Sequence, residues 1–398
     1  MKKQTIAINT PFPHNDAYGS LSMPVYNTCA YEFATAADMT AAFTGKVLEP
    51  DYSRTMNPTV THFEDRVKAL TGAANVFAFN SGMAAIHNIL ITLTATGKNI
   101  ITSRHLFGNT YSLISKTLKR FGVEGRFIDL TNLVEVEAAI DDNTSCIFLE
   151  IITNPQMEVA DLNALSEIAH KHGLPLVADT TMIPFIVFNS YELGVDVEVV
   201  SSTKYLSGGA TSLGGLVIDY GTFPVVNERI RFEFLFNLGA YMTPHAAYMQ
   251  TLGIETLNSR YQLQSDNALQ LSRRLYEKLG KSGWTKLTSI NYIGLESHPS
   301  HDLAQRQFGP TGGAMITIDL VDESACYDFI NNLKLIHRAT NLFDNRSLAI
   351  HPYSTIFGNF SQEEKSMMDV LPTTIRLSIG LEDVDDLFGD IQQALLNS

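Results

Sequence analysis

A single lysine, Lys204, stands in the stretch VEVVSSTKYLSGGATSLGG (Val197 to Gly215), between a branched, strand-like run with hydroxyl residues and a glycine-rich turn. An ammonium at a strand end that is poor in water loses pKa and becomes a nucleophilic amine, the requirement for a Schiff base. On its own it could equally be a surface lysine. Ser201 and Thr203 place hydroxyls beside it. In FAFNSGMAAI a strand gives way to a helix through Ser81, Gly82 and Met83. Glycine lets the backbone come close there, and the N–H groups of a helix start suit a phosphate, although such a turn is more often only a turn. In VADTT, Asp179 ends an apolar strand. A buried carboxylate needs a partner; a protonated ring nitrogen would serve, and so would an N-cap role or an ion pair. A phosphate cradle, a carboxylate for a pyridinium nitrogen and an amine for an aldehyde are together the contacts that pyridoxal 5'-phosphate needs.

Those strand ends can converge only if one sheet carries them. From about Asn57 the chain alternates short branched runs with helical patterns, the signature of βα units on a largely parallel sheet. The runs are Val76–Phe79, Ile100–Thr102, Arg126–Ile128, Cys146–Ile151, Pro175–Asp179, Val197–Ser201 and Gly215–Asp219. Helices are expected over Gly82–Thr94, Thr110–Lys119 and Asp161–His172, the last with Asp161 as N-cap. In an open α/β sheet, ligands bind at the carboxyl ends of the strands. Residues 1–56, rich in Pro, Tyr, Thr and Asn, read as an extended arm; 57–254 as the cofactor-binding α/β domain; and 255–398 as a smaller α+β domain. The last opens with a long helix, Ser259 to Leu279, and holds strands in GPTGGAMITIDL and TTIRLSIGLED.

Composition restricts the partners. A formal charge of −14 without a basic run disfavours nucleic acid and anionic membranes, leaving a small molecule or a protein. No apolar run reaches the roughly 18 residues of a membrane helix. MKKQTIAINTPFPHND is a poor leader, its apolar stretch being broken by Asn9 and Pro11. Cys29, Cys146 and Cys326 lack CxxC spacing, which argues against disulfides and thiolate metal sites and fits a cytoplasmic setting. His298 and His301 in HPSH have no third ligand nearby in sequence and read as loop residues, so no metal is expected. GPTGG lacks the lysine and hydroxyl of a P-loop and reads as a turn before a strand.

The motifs MPVYNTCAYEF, DYSRTMNPT, FNSGMAAI, HLFGNTYSL, TNPQMEVADL, VADTT, SSTKYLSGG, IHPYST and IRLSIGLED run nearly the whole chain. Together they resemble the Cys/Met-metabolism family of pyridoxal-phosphate enzymes, which includes γ-lyases, cystathionine γ-synthases and O-acetylhomoserine sulfhydrylases. The resemblance implies a fold type I enzyme: a mostly parallel seven-stranded sheet between helices, a smaller C-terminal α+β domain and the arm. It also implies a homotetramer of catalytic dimers in which Tyr52 and Arg54 reach the cofactor phosphate of the neighbouring subunit. Gly82 and Met83 would give backbone N–H groups to that phosphate, beside Ser81, with hydroxyls from Ser201 and Thr203. Asp179 would hold the ring nitrogen protonated. Asn154 would lie near the ring hydroxyl and the substrate, and Arg376 would bind the substrate α-carboxylate as a planar fork. Without the resemblance, an ordinary salt bridge is the first reading of Arg376.

Departures from the family pattern bear on the substrate. Phe107 stands where many members stack a tyrosine on the cofactor; it can stack but cannot pass a proton, which then falls to Lys204, Tyr52, Tyr111 or water. Asn109 replaces the cysteine frequent in methionine γ-lyases, and Arg346 stands at a position often acidic in cystathionine-handling members. Asn341, in the substrate loop, replaces a common serine; Thr180, Val200 and Phe357 are further exchanges. The expected activity is γ-replacement on an O-acyl-homoserine by sulfide or a thiol, with Lys204 as Schiff-base lysine and general base. A methionine or cystathionine γ-lyase releasing a 2-oxo acid and ammonia is the alternative, and a non-catalytic regulatory or binding protein is the alternative of another kind.

Overall fold

Seven of the branched runs form the strands of one sheet in the computed structural model, which describes residues 1–12 and 18–397. The PHND end of the stretch weighed as a leader therefore lies outside the described residues. The strands are β1 (Asn75–Phe79), β2 (Asn99–Ser103), β3 (Glu124–Ile128), β4 (Thr144–Glu150), β5 (Leu176–Asp179), β6 (Val197–Val200) and β7 (Gly215–Asp219), in the order β1-β7-β6-β5-β4-β2-β3. By density of internal contact the chain divides into two units, one of 1–94 with 196–256 and one of 95–195 with 257–398.

In the first unit β7 runs antiparallel to both β1 and β6. The cause is the short connection. Between Val200 and Gly215 there is one tight helical turn, Tyr205–Ser207, too little for the crossover that a parallel return needs, so the chain turns back on itself. Lys204 sits in that return. Four helices precede β6: α1 (Lys3–Asn9), α2 (Ala36–Phe43), α3 (Pro58–Thr71) and α4 (Gly82–Leu93). Asn57 caps α3 by accepting the Thr59 N–H at 3.0 Å, Pro58 opens it, and Gly72 ends it at φ 74°. Glu64 of α3 accepts the Ala78 N–H of the edge strand β1 at 2.9 Å and pairs with Arg231 at 2.7 Å. The stretch expected to be an extended arm contains two short helices, α1 and α2, the second capped by Thr35, which accepts the Asp38 N–H.

In the second unit β3, β2, β4 and β5 pair in parallel. β2 is buried throughout, and β4 nearly so, which is why they read as continuous apolar runs. Helix Leu162–Lys171 begins where expected, Asp161 Oδ1 accepting the Ala164 N–H at 3.1 Å. The single helix expected over Thr110–Lys119 is instead a helical run of changing pitch: an α segment Gly108–Ser112, a wider turn Leu113–Thr117 and a tighter one Leu118–Phe121, ended by Gly122 at φ 77°. This unit also holds a second sheet of β8 (Leu287–Asn291), β9 (Met315–Leu320), β10 (His337–Arg338), β11 (Leu348–Ile350) and β12 (Thr374–Ser378), in the order β10-β11-β12-β9-β8. The long helix is Leu257–Tyr276, and GPTGG is a turn ahead of β9, with Gly309 and Gly313 at φ 76° and 67°.

Candidate active site

The site residues expected from sequence fall into a group on each unit. In the first unit, β1 ends at Phe79 and Ser81 caps α4, its Oγ accepting the Ala84 N–H at 3.1 Å. Gly82 and Met83 thereby occupy the first turn of a twelve-residue helix, where backbone N–H groups point along the axis toward any anion. Only glycine fits at 82: a Cβ there would stand 2.7 Å from Ser201 Cβ and 3.0 Å from Ser201 Cα. The same holds at 215, where a Cβ would meet Ser81 O at 2.1 Å. These glycines bring the start of α4, the residue following β6 and the start of β7 into close approach.

Thr203 holds the return from β6 together. Its Oγ1 accepts the Gly214 N–H at 3.0 Å and donates to Gly214 O at 3.2 Å. Lys204, half-buried, donates its N–H to Ser201 O at 3.1 Å and opens the turn Tyr205–Ser207, which ends at Gly208 with φ 75°. Helix Pro244–Glu255 presses on this turn so closely that a Cβ on Gly253 would lie 1.9 Å from Leu206 O. The lysine is carried on a rigid base. Tyr52 pairs with Ala30 through a single bridge, and the Arg54 guanidinium lies 5.5 Å from its ring centroid while Nη1 donates to Phe236 O. Both line an open groove on this unit together with Phe43, Phe236 and Leu238.

In the second unit, Asp179 ends β5 and its Oδ1 accepts the Thr181 N–H at 3.0 Å. Phe107 precedes the run Gly108–Ser112 and donates its N–H to Glu150 Oε1 at 2.7 Å. Gly108 packs closely on the loop after β11: a Cβ there would be 3.2 Å from Ile356 O, and Phe357 beside it is fully buried. Arg376, in the middle of β12, is 1 % exposed. Its Nη1 donates to Asn154 Oδ1 at 3.2 Å and its Nη2 to the Asn341 carbonyl at 3.1 Å, while Nε has no partner among the described residues. Both acceptors are neutral, and no carboxylate pairs with the guanidinium among the described residues. Burial therefore lowers its pKa to about 10. The salt bridge that was the first reading of this residue is not what the structure holds. Asn341 reaches Arg376 through its main chain, from a loop fixed by Ser378 Oγ accepting the Phe343 N–H at 2.6 Å.

Tyr111, one of the groups proposed to replace the tyrosine absent at 107, is 6 % exposed and packs on Phe127 and Phe360, at 4.6 and 5.8 Å between ring centroids. Burial, and after it the Glu364 charge, raise its pKa. His298 Nδ1 accepts the Ser300 N–H at 3.0 Å, and His301 Nδ1 lies 3.0 Å from Ile293 O. No cluster of metal-binding side chains occurs among the described residues. Sequence reading passed over Glu150, although its signal was the one that singled out Asp179: an acid closing an apolar run, CIFLE beside VAD. The two are register partners across β4 and β5.

On the first unit, the capped helix start at Gly82 and Met83 and the lysine on a tight turn suit an anionic aldehyde cofactor; on the second, the strand-end carboxylate of Asp179 suits a basic ring nitrogen. The sequence profile of the family described as Cys/Met metabolism PLP-dependent enzyme matches residues 4–396. An O-succinylhomoserine sulfhydrylase of Pseudomonas aeruginosa is 37 % identical across 93 % of this chain and 90 % of its own. An L-methionine gamma-lyase of Pseudomonas putida is 37 % identical across 98 % of this chain and 96 % of its own. Among solved structures, one described as an O-acetylhomoserine (thiol)-lyase of Campylobacter jejuni carries N'-pyridoxyl-lysine-5'-monophosphate. It superposes with a TM-score of 0.93 at 32 % identity, covering 99 % of this chain and 100 % of that one.

Proposed function

Because the chain belongs to the Cys/Met-metabolism family of pyridoxal-phosphate-dependent enzymes, we propose that it catalyses γ-replacement on an O-acyl-homoserine, with sulfide or a thiol displacing the acyl carboxylate. The observation that carries an amino-acid substrate is Arg376: a buried guanidinium with neutral acceptors on two sides is a receptor for a carboxylate. When bound, pyridoxal phosphate supplies an aldehyde for amines to condense with and a ring that accepts electron density from the substrate α-carbon.

Around that chemistry the chain's residues have separate tasks. The Ser81–Met83 turn, with Ser201 and Thr203, would receive the phosphate. Asp179 would keep a proton on the ring nitrogen, and the Phe107 ring would stack on the cofactor. With the cofactor in place, the Lys204 amine would hold it and would serve as base for the substrate α-proton. The net exchange is departure of the acyl group from the γ-carbon as its carboxylate and addition of sulfide there, giving homocysteine. With phenylalanine at 107, proton delivery would fall to Lys204, Tyr52, Tyr111 or water.

Self-association belongs to the same reading: a homotetramer of catalytic dimers in which Tyr52 and Arg54 serve the neighbouring subunit. Exposed apolar side chains beside those residues support it, Phe43 at 66 %, Leu48 at 71 % and Leu238 at 50 %. A cytoplasmic setting is supported by three unpaired thiols, and no helix among the described residues is long and apolar enough to cross a membrane. A second reading, γ-elimination from methionine, draws support from the similarity to the gamma-lyase. Parallel assays decide between them: O-acetyl- or O-succinylhomoserine with sulfide, methionine alone and cystathionine alone, following homocysteine and 2-oxo acid. Homocysteine formed fastest from the acyl-homoserine is expected. Faster 2-oxo acid release from methionine would replace the first reading with the second.

A further inference from the structure

Glu150, the last residue of β4, is an acid that the proposed chemistry does not use, and it keeps only 7 % of its surface exposed. Its Oε1 accepts the Phe107 N–H at 2.7 Å, and the same carboxyl accepts the Asn154 N–H. Among the described residues it has no cationic partner. Across the sheet it stands in register with Asp179, and register partners on adjacent strands project from the same face. Burial first, and the Asp179 charge second, push the Glu150 carboxyl well above the usual carboxylate range, against the pull of the two N–H donors.

The two backbone groups it binds belong to different loops with different tasks. Phe107 follows β2 and opens the helical run Gly108–Ser112. Asn154 follows β4 and gives its Oδ1 to Arg376. A backbone N–H buried without an acceptor is destabilising, so each loop is held where the carboxyl can receive it. We infer that Glu150 is a positioning residue that fixes the main chain at Phe107 and Asn154 together, setting an aromatic face and the amide that orients Arg376 from one strand end. The inference rests on the carboxylate-receptor reading of Arg376.

Three holoenzyme variants test it: Glu150→Gln, Glu150→Asp and Glu150→Ala. Glutamine keeps a carbonyl acceptor at the same reach, so KM, kcat, the pH profile and the visible circular dichroism of the bound cofactor should stay within about twofold of the parent. Aspartate is one methylene short, and alanine has no acceptor. Both should raise KM for the amino-acid substrate roughly tenfold, lower kcat less, and change the cofactor's dichroism with the cofactor still bound. If the alanine variant does not fold, the contrast between glutamine and aspartate carries the test. An aspartate variant with parental KM and dichroism would overturn the inference, as would a glutamine variant as impaired as the aspartate one. Arg376→Gln measured in parallel separates the two layers. If it leaves KM unchanged, the receptor reading fails, while the dichroism, read without substrate, still reports on the tie to Phe107.

Discussion

Replacing Arg376 with methionine removes a charge that the substrate-free protein carries at a cost. The guanidinium is fully buried, and its pKa falls from the usual arginine value to about 10. At about 1.4 kcal/mol per pH unit, the burial penalty is on the order of 3 kcal/mol. Methionine fills much of the same volume without charge, but it leaves Asn154 Oδ1 and Asn341 O without their donor. Each buried acceptor left without its charged donor costs about 1–3 kcal/mol, so the two together roughly offset the relieved penalty and the substrate-free variant should melt close to the parent. Binding should respond in the opposite direction. A substrate carboxylate that docks on Arg376 recovers on the order of that penalty, so the variant should lose about a hundredfold in kcat/KM, mainly through KM. Arg376→Lys should not restore it, because a point ammonium cannot present the planar fork. Steady-state kinetics with O-acetylhomoserine and sulfide, beside thermal melts without substrate, measure both quantities. A variant that melts well below the parent while keeping its KM would refute the reasoning, because Arg376 would then be structural.

Gly82→Ala inserts a Cβ 2.7 Å from Ser201 Cβ and 3.0 Å from its Cα, so either the helix start or the Ser201 backbone must move. Overpacking of this kind costs about 1–3 kcal/mol, and cofactor affinity should fall at least tenfold, read as visible absorbance retained after dialysis; parental retention would count against the phosphate cradle. His105 supplies a pH dependence. Its Nε2 lies 2.8 Å from Asp369 Oδ2 and its Nδ1 3.3 Å from Glu158 Oε2, with Arg104 also near Asp369 at 3.7 Å. Burial alone would lower its pKa, but the two carboxylates outweigh it and the net direction is upward. The stabilisation is therefore complete below the unfolded value of about 6.5 and is lost as pH rises through the raised one. The melting temperature of the parent should exceed that of His105→Asn most at pH 6 and converge with it under alkaline conditions; a gap that widens with pH would contradict the assignment. If the arm serves a neighbouring subunit, Arg54→Ala and Lys204→Ala preparations, each impaired, should recover about a quarter of parental activity when exchanged at equal amounts, since half the dimers then hold one intact site of two. No recovery after verified exchange would place Arg54 in its own subunit's site.

Much was legible in the sequence. Branched runs ending at Phe79, Asp179 and Ser201 locate the strand ends to within a residue because a strand's period and burial are local properties of its side chains. Gly82 was legible as a point of close backbone approach because only glycine tolerates it, and Asp161 as a cap because its side chain bonds three residues away. What the tertiary structure alone decided involves partners distant in the chain. Sequence could suggest that Arg376 binds a carboxylate, but only the fold places Asn154 and the Asn341 carbonyl around it and withholds any acid, 222 and 35 residues away along the chain from those two acceptors. Nor could Glu150 be told from an ordinary strand-end acid until Phe107, 43 positions earlier, was seen donating to it. Local periodicity fixes where a side chain stands, whereas its charge state and task depend on what is packed against it, and that is set by the whole chain's path.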